Sequence, residues 1–275
     1  MRQVELDIVR ARLPENIYEI LYEVVGSGFI ERVEDEINRY IFFVEDDRLD
    51  TILDKFSHVD WVNDIKVDNV VEEKGWLRNW HDNYKPIIVK PFKIIPLWLS
   101  KEEPVENHIP IYINSGIAFG TGEHETTQLC LMLMSLIDTK DKVVLDIGTG
   151  SGILAIAASK LGAKKVYAFD IDPVAVEVAK ENVKINNVNN VEIFWGDALS
   201  YKGMHYDVIT ANLVWGILKK LSRSIKKMIK RNGFLIASGI LEDQLLDFIN
   251  LYEAEGFKYV KHVFKNEWVG VLLSG

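Results

Sequence analysis

The sequence predicts two folded parts: a doubly wound α/β domain of seven strands and, ahead of it, a small α+β domain. Three observations carry that prediction. The stretch VVLDIGTGSGILAIAASKLGA, 143–163, reads as strand, glycine-rich turn and helix, which is how a doubly wound sheet opens a nucleoside pocket. After it, apolar runs alternate with amphipathic helices to the end of the chain. Before residue 69 a β-α-β-β-α-β pattern is complete in itself. The expected division is therefore 1–68 for the small domain, 69–95 for a linker helix and connection, and 96–275 for the large domain.

Composition bounds what the chain does. At 275 residues it has room for two domains of about 100–200 residues each. A net charge of −9 argues against a broad nucleic-acid footprint, which needs a basic face, so no direct nucleic-acid binding is expected. No apolar run approaches the ~18 residues of a membrane span, and MRQVELD lacks the features of a signal peptide. A cytoplasmic protein with no membrane partner is the expectation. The lone cysteine, Cys130, excludes an internal disulfide and a multi-cysteine metal site. Within LCLMLM it reads as a buried thiol.

In the small domain, Val4, Leu6 and Ile8 alternate as a half-buried strand. Ile17, Ile20, Leu21, Val24 and Val25 follow helical spacing, with Gly26 and Gly28 after the end. Residues 30–33 and 39–44 read as a hairpin, Leu49 to Phe56 as a second helix, and Val62 to Val67 as a last strand. This is the ferredoxin-like arrangement. No residue in it is of a catalytic type, so it reads as a recognition or packing module.

The connection contains Trp76 and Trp80, four apart on one helix face, suited to packing or to a substrate platform. Strand-like pieces follow at 87–89 and 94–97, then a polar loop at 101–110. In INSGIAFGTGEHETTQLC, 113–130, Gly116, Gly120 and Gly122 precede a helix expected from Gln128. That pattern fits a flap ahead of the nucleoside strand, or an N-cap by Thr126 or Thr127. Glu123, His124 and Glu125 are adjacent, so they do not converge on one ion, and no metal is expected.

The glycine spacing decides between cofactors. A dinucleotide fingerprint, G-x-G-x-x-G, needs glycine at 153, where Ile153 stands. Here Gly148, Gly150 and Gly152 fall at every second position after Asp146. That form fits a nucleoside with no pyrophosphate, as in S-adenosylmethionine. A second strand, 166–169, ends in Asp170, 22 residues past Gly148. A carboxylate there accepts both ribose hydroxyls, by the logic of dinucleotide sites.

Beyond it, Asp172-Pro173 starts a helix with proline in its first turn. A third strand, 191–195, leads to Asp197, which is placed either to accept the adenine amine or to cap a helix. A fourth strand ends in Asn212. A helix over 213–230 follows, with basic residues toward its C-terminus. A fifth strand (233–238), a helix (242–255) and a hairpin (259–264 with 268–273) complete the pattern. Five parallel strands finished by an antiparallel pair make the seven-stranded, Rossmann-like sheet of S-adenosylmethionine-dependent methyltransferases.

Several stretches together resemble one family, the bacterial ribosomal protein methyltransferases acting on large-subunit ribosomal protein eleven. They are GIAFGTGEHETTQLCL, LDIGTGSGILAIAASKLGA, DIDPVAVEVAKENVKIN, ANLV, ASGIL and EWVG. The resemblance covers essentially the whole chain, and FGTGEHETT with SGIL is its most particular part. It implies methyl transfer from S-adenosylmethionine to lysine ε-amines and the N-terminal α-amine of that ribosomal protein, held by the small domain. It implies cofactor contacts at Thr127, Gly148, Asp170 and Asn212, to which the spacing above adds Gly150 and Asp197. Asn212 is the candidate catalytic residue, as an orienting group, because an amide is no base. The chain departs from the family at NSG (114–116), at Thr149 and at ANLVW, where Trp215 is expected to reshape the acceptor pocket.

Overall fold

The computed structural model describes residues 2–14, 16–25, 30–34, 36–44, 46–69, 86–100, 103–114, 122–203 and 205–275. The chain divides into two compact units, Met1–Lys85 and Pro86–Gly275.

The first unit runs β1 (Arg2–Val9), α1 (Ile17–Val25), β2 (Ile30–Glu34), β3 (Ile37–Val44), α2 (Asp46–Ser57) and β4 (Val62–Asn69). Its antiparallel sheet has the order β2-β3-β1-β4, the ferredoxin-like arrangement expected from the pattern. The period of two in β1 turns Val4, Leu6 and Ile8 to one face. There they are fully buried with Tyr40, Phe42, Ile17, Leu21 and Phe56. On the opposite face Arg39 grips Asp7 with two bonds, Nε to Oδ1 at 2.6 Å and Nη2 to Oδ2 at 2.9 Å. The Arg39 hydrogen bond holds the Asp7 carboxyl below the usual carboxylate range.

The second unit opens with β5 (Ile87–Val89), β6 (Phe92–Pro96) and β7 (Ile109–Ile113), which form a separate three-stranded sheet. After α3 (Glu125–Met134) come β8 (Val143–Ile147), α4 (Ile153–Lys160), β9 (Lys165–Asp170), α5 (Pro173–Ile185) and β10 (Val191–Trp195). Then follow β11 (Tyr206–Asn212), α6 (Trp215–Met228), β12 (Ile229–Leu241), α7 (Leu245–Ala254), β13 (Lys258–Lys265) and β14 (Trp268–Ser274). The main sheet has the order β10-β9-β8-β11-β12-β14-β13. Its first five strands are parallel and the last two antiparallel.

Apolar layers cover both faces of this sheet. Leu131, Ile156, Val166 and Ile236 belong to one, and Leu145, Leu218, Phe248 and Val271 to the other. Cys130 is fully buried in the first, and burial pushes its thiol pKa far up. It is the inert core thiol expected of its surroundings. Strand β8 lies between β9 and β11, so the direction of winding reverses there. Ligands bind at the carboxyl ends of the strands at such a switch point.

Two local expectations are corrected. The polar loop at 101–110 ends sooner, because Ile109 already pairs with Phe92 as β7 begins. Lys93 beneath it is nearly buried, donating to Pro104 O at 2.7 Å and paired with Glu103 at 2.5 Å. Helix α3 starts at Glu125 rather than Gln128, and its N-cap is neither threonine. The cap is His124, whose Nδ1 accepts from Thr126 N at 3.3 Å. The glycines at 26, 28, 116 and 120 and the tryptophans at 76 and 80 lie outside the described residues, as does most of the proposed flap. Among the described residues no helix is long and apolar enough to cross a membrane.

Candidate active site

The turn after β8 explains the glycine spacing. Gly148, Gly150 and Gly152 have φ of 70°, 54° and 83°, a left-handed conformation that costs other residues roughly 1–2 kcal/mol each. Alternating them with Thr149 and Ser151 winds the backbone into a tight turn ahead of α4, closed by Gly152 N donating to Thr149 O at 2.9 Å. The turn is fastened to β9, since Gly148 N and Thr149 N both donate to Phe169 O at 3.0 Å.

Asp170, at the end of β9, completes the fastening. Its Oδ2 accepts from Gly150 N at 2.8 Å and its Oδ1 from Asp172 N at 3.0 Å. Burial raises its pKa, and those two N–H groups oppose the rise. Each carboxylate oxygen has two lone pairs, so each keeps one acceptor direction for a ligand hydroxyl. Asp197 sits nearby, because Gly196 N donates to Asp170 O at 3.0 Å. Among the described residues no helix follows Asp197 before β11, so the capping role is not realised; its Oδ1 accepts from Leu199 N at 3.0 Å within a turn.

Thr127 and Asn212 meet although 85 residues apart in sequence, with Asn212 Nδ2 donating to Thr127 Oγ1 at 3.3 Å. Thr127, in the first turn of α3, is 1% exposed. One N–H of the Asn212 amide is therefore committed, and its second N–H and its carbonyl Oδ1 are the groups it can turn to a methyl-accepting amine. Leu213 links this pair to the glycine turn. Its N–H bonds Ser238 O at 3.1 Å. A Cβ placed on Gly148 would lie 2.5 Å from Leu213 Cδ2.

Trp215 is a correction. It does not shape an acceptor pocket: it is 9% exposed, 5.7 Å from Phe248, with Lys219 Nζ 4.9 Å above its ring. The apolar face of α6 takes it into the core.

Sequence reasoning assigns Asp146 no role beyond opening the motif. It is 1% exposed and lies under the turn, accepting from Thr149 Oγ1 at 2.6 Å and from Thr210 Oγ1 at 2.5 Å. The signal that was available is a charged residue inside the otherwise apolar run of β8. Burial pushes its carboxyl up to about 6, against the two threonine hydrogen bonds. The folded state thus holds this proton more tightly than the unfolded chain. Its contribution to stability is complete below about pH 4 and lost as pH rises through 6, about 3 kcal/mol in all. Asp146→Asn should therefore raise the melting temperature by a few degrees more at pH 8 than at pH 5, at about 2–4 °C per kcal/mol. Thermal melts at the two pH values check this, and an equal difference at both would contradict it.

The chemistry of the donor set fits an adenosyl sulfonium and not a phosphate ligand. GTGSG carries no cationic side chain, and two carboxylates, Asp146 and Asp170, flank it. Those charges repel phosphate and suit a ligand bearing a positive charge.

Comparisons with known proteins agree. Residues 18–274 match the family model described as ribosomal protein L11 methyltransferase. A ribosomal protein L11 methyltransferase of Clostridium perfringens is 38% identical over 246 residues, 89% of this chain and 77% of that protein. One from Thermoanaerobacter pseudethanolicus is 42% identical over 212 residues, 76% of this chain and 67% of that protein. Among solved structures, the ribosomal protein L11 methylase of Lactobacillus delbrueckii subsp. bulgaricus superposes with a TM-score of 0.65 at 33% identity. It covers 70% of this chain and 98% of that one. A match that begins inside α1 and stops one residue short of the C-terminus takes in the whole second unit: the chain belongs to the ribosomal protein L11 methyltransferase family, enzymes that use S-adenosylmethionine.

Proposed function

We propose that this chain transfers methyl groups from S-adenosylmethionine to lysine ε-amines and the N-terminal α-amine of ribosomal protein L11. The observation that carries the reading is the junction of two pairs at the switch point, Asp170 with the glycine turn and Thr127 with Asn212. Thr127, Gly148, Gly150, Asp170, Asp197 and Asn212 form the cofactor site, and residues 1–68 hold the substrate protein. The connection at 69–95 joins that domain to the catalytic domain at 96–275. The setting is cytoplasmic, with a protein partner and no nucleic acid.

S-adenosylmethionine supplies a methyl group on a positively charged sulfur, open to in-line attack by an amine. Asp170 would accept the ribose hydroxyls, and the glycines, bare of side chains, would give the nucleoside a close backbone wall. Thr127 fixes the Asn212 amide so that Oδ1 accepts an N–H of the incoming amine and aims its lone pair. Positioning of this kind lowers a barrier by several kcal/mol with no metal or covalent step. The amine must be neutral, and a free lysine has a pKa near 10.4, so it loses its proton to solvent before it is enclosed.

His124 supplies no base, because its Nδ1 is engaged by Thr126. His124→Ala should retain methyl transfer within about threefold while losing the cap, worth ~1 kcal/mol or a few degrees of melting temperature. Loss of turnover with cofactor binding intact would instead make His124 the proton acceptor. The reading as a whole is tested by incubating the enzyme with methyl-labelled S-adenosylmethionine and purified ribosomal protein L11. Label on lysines and the N-terminus supports it. Label only on other proteins in a ribosomal extract would move the activity to a different acceptor.

A further inference from the structure

The inner edge of β7 is closed by two side chains and not by a strand. Asn182 and Asn186 lie one turn apart on α5, at 0% and 7% exposure. Asn186 imitates a strand partner: its Oδ1 accepts from Tyr112 N at 2.9 Å and its Nδ2 donates to Tyr112 O at 2.6 Å. Two residues on, at the next position facing that edge, Asn182 Oδ1 accepts from Asn114 N at 2.8 Å. If Asn182 only sealed the edge, its Nδ2 would return to Asn114 O. It crosses instead to the glycine turn and donates to Ser151 O at 2.9 Å.

A second contact brings the same helix against the same turn. A Cβ on Gly152 would lie 3.2 Å from Ala179 Cβ and 3.3 Å from its Cα, so the turn rests directly on α5 one turn before Asn182. The helix begins at Asp172, whose N–H bonds Asp170. One rigid element therefore supports the glycine turn and holds the carboxylate beside it. Ser151 O shares its peptide plane with the N–H of Gly152, which closes the turn onto Thr149 O at 2.9 Å, so pinning that carbonyl from behind fixes the turn's own closing bond.

We propose that Asn182 is a positioning residue for the methyl donor, setting the glycine turn through Ser151 O. This rests on the reading that the turn holds S-adenosylmethionine. Asn182→Asp keeps the size and the bond from Asn114 N but cannot donate to Ser151 O. Asn186→Asp is the control: it loses the bonds to Tyr112 O and to the backbone carbonyl of Asn182, and makes no contact with the turn itself.

Isothermal titration with S-adenosylmethionine, paired with steady-state methyl transfer, separates the roles. Asn182→Asp should weaken cofactor affinity and raise its KM about tenfold, leaving kcat at saturation within about twofold, since a buried bond of this kind is worth about one factor of ten. Asn186→Asp should lower the melting temperature comparably with cofactor affinity unchanged. Asn182→Ser, uncharged and too short to span both partners, should reproduce the KM effect if the aspartate variant does not fold. Cofactor affinity unchanged in both Asn182 variants, or weakened equally by Asn186→Asp, would overturn the proposal. Wild-type protein that fails to bind S-adenosylmethionine would overturn the donor-site reading, and this inference with it.

Discussion

Asp170→Ala should weaken S-adenosylmethionine binding by about 100-fold or more, the largest effect expected of any single substitution here. The loss in binding is the pair of charge-assisted bonds to the ribose, at about 1.5–3 kcal/mol for each such bond. Since every 1.4 kcal/mol is a factor of ten, even the lower figure for the two reaches about two decades. Gly150 N and Asp172 N also lose their acceptor, which lowers the stability of free and bound protein alike. Asp170→Asn should fall between, because its Oδ1 can replace one accepting oxygen while its NH2 opposes an N–H at the other. Titration calorimetry measures all three proteins, and an alanine variant within threefold of wild type would remove Asp170 from the cofactor site.

Gly239→Ala should act chiefly on turnover. Gly239 has φ of +86°, and a Cβ there would lie 2.3 Å from Leu213 O and 2.7 Å from Leu213 C. Those are backbone atoms, so no rotamer change relieves the overlap and the segment after Asn212 has to move. The Leu213 N to Ser238 O bond would be lost, and Asn212 displaced from Thr127. A misplacement near 1 Å costs about 100-fold in rate, so kcat should fall by that order, with cofactor affinity weakened as well because Thr127 and Asn212 belong to the cofactor site. Initial-rate kinetics at saturating cofactor provide the test, and a kcat within threefold would mean that the segment yields without moving Asn212. The contrast is Gly148, where the overlap at 2.5 Å is with the mobile Leu213 Cδ2.

The parts of the site that were legible in sequence are those set by local backbone demand. Gly148, Gly150 and Gly152 stand where positive φ is needed, and Asp170 stands where a buried strand reaches the sheet's edge. Asn212 and Thr127 were reached through family motifs, because their contact spans 85 residues and no local pattern encodes it. Asp146 is hidden for a similar reason: of the two hydroxyls that hold this buried acid, Thr149 is only three residues on, but Thr210 meets it only once β8 and β11 pair. The cap of α3 went to His124 since an imidazole nitrogen accepts an N–H as well as a hydroxyl does. Strand β7 escaped notice although Ile109, Ile111 and Ile113 alternate. Pro110 and the polar stretch before it read as loop, and the groups that complete its edge lie on α5. Trp215, three residues after Asn212 in sequence, starts a helix whose apolar side turns inward, so nearness along the chain does not bring it to the acceptor.

The amide-sealed edge of β7 also has a consequence in time. Tyr112 finds its partner 74 residues further along the chain, in Asn186. A ribosome adding about 5–20 residues per second makes that interval roughly 4–15 s. For those seconds the nascent sheet β5-β6-β7 exposes an open ladder, and that interval is when aggregation or chaperone capture is most probable. Slowing translation between codons 114 and 182 should lengthen the exposure and lower soluble yield, with the finished enzyme unchanged.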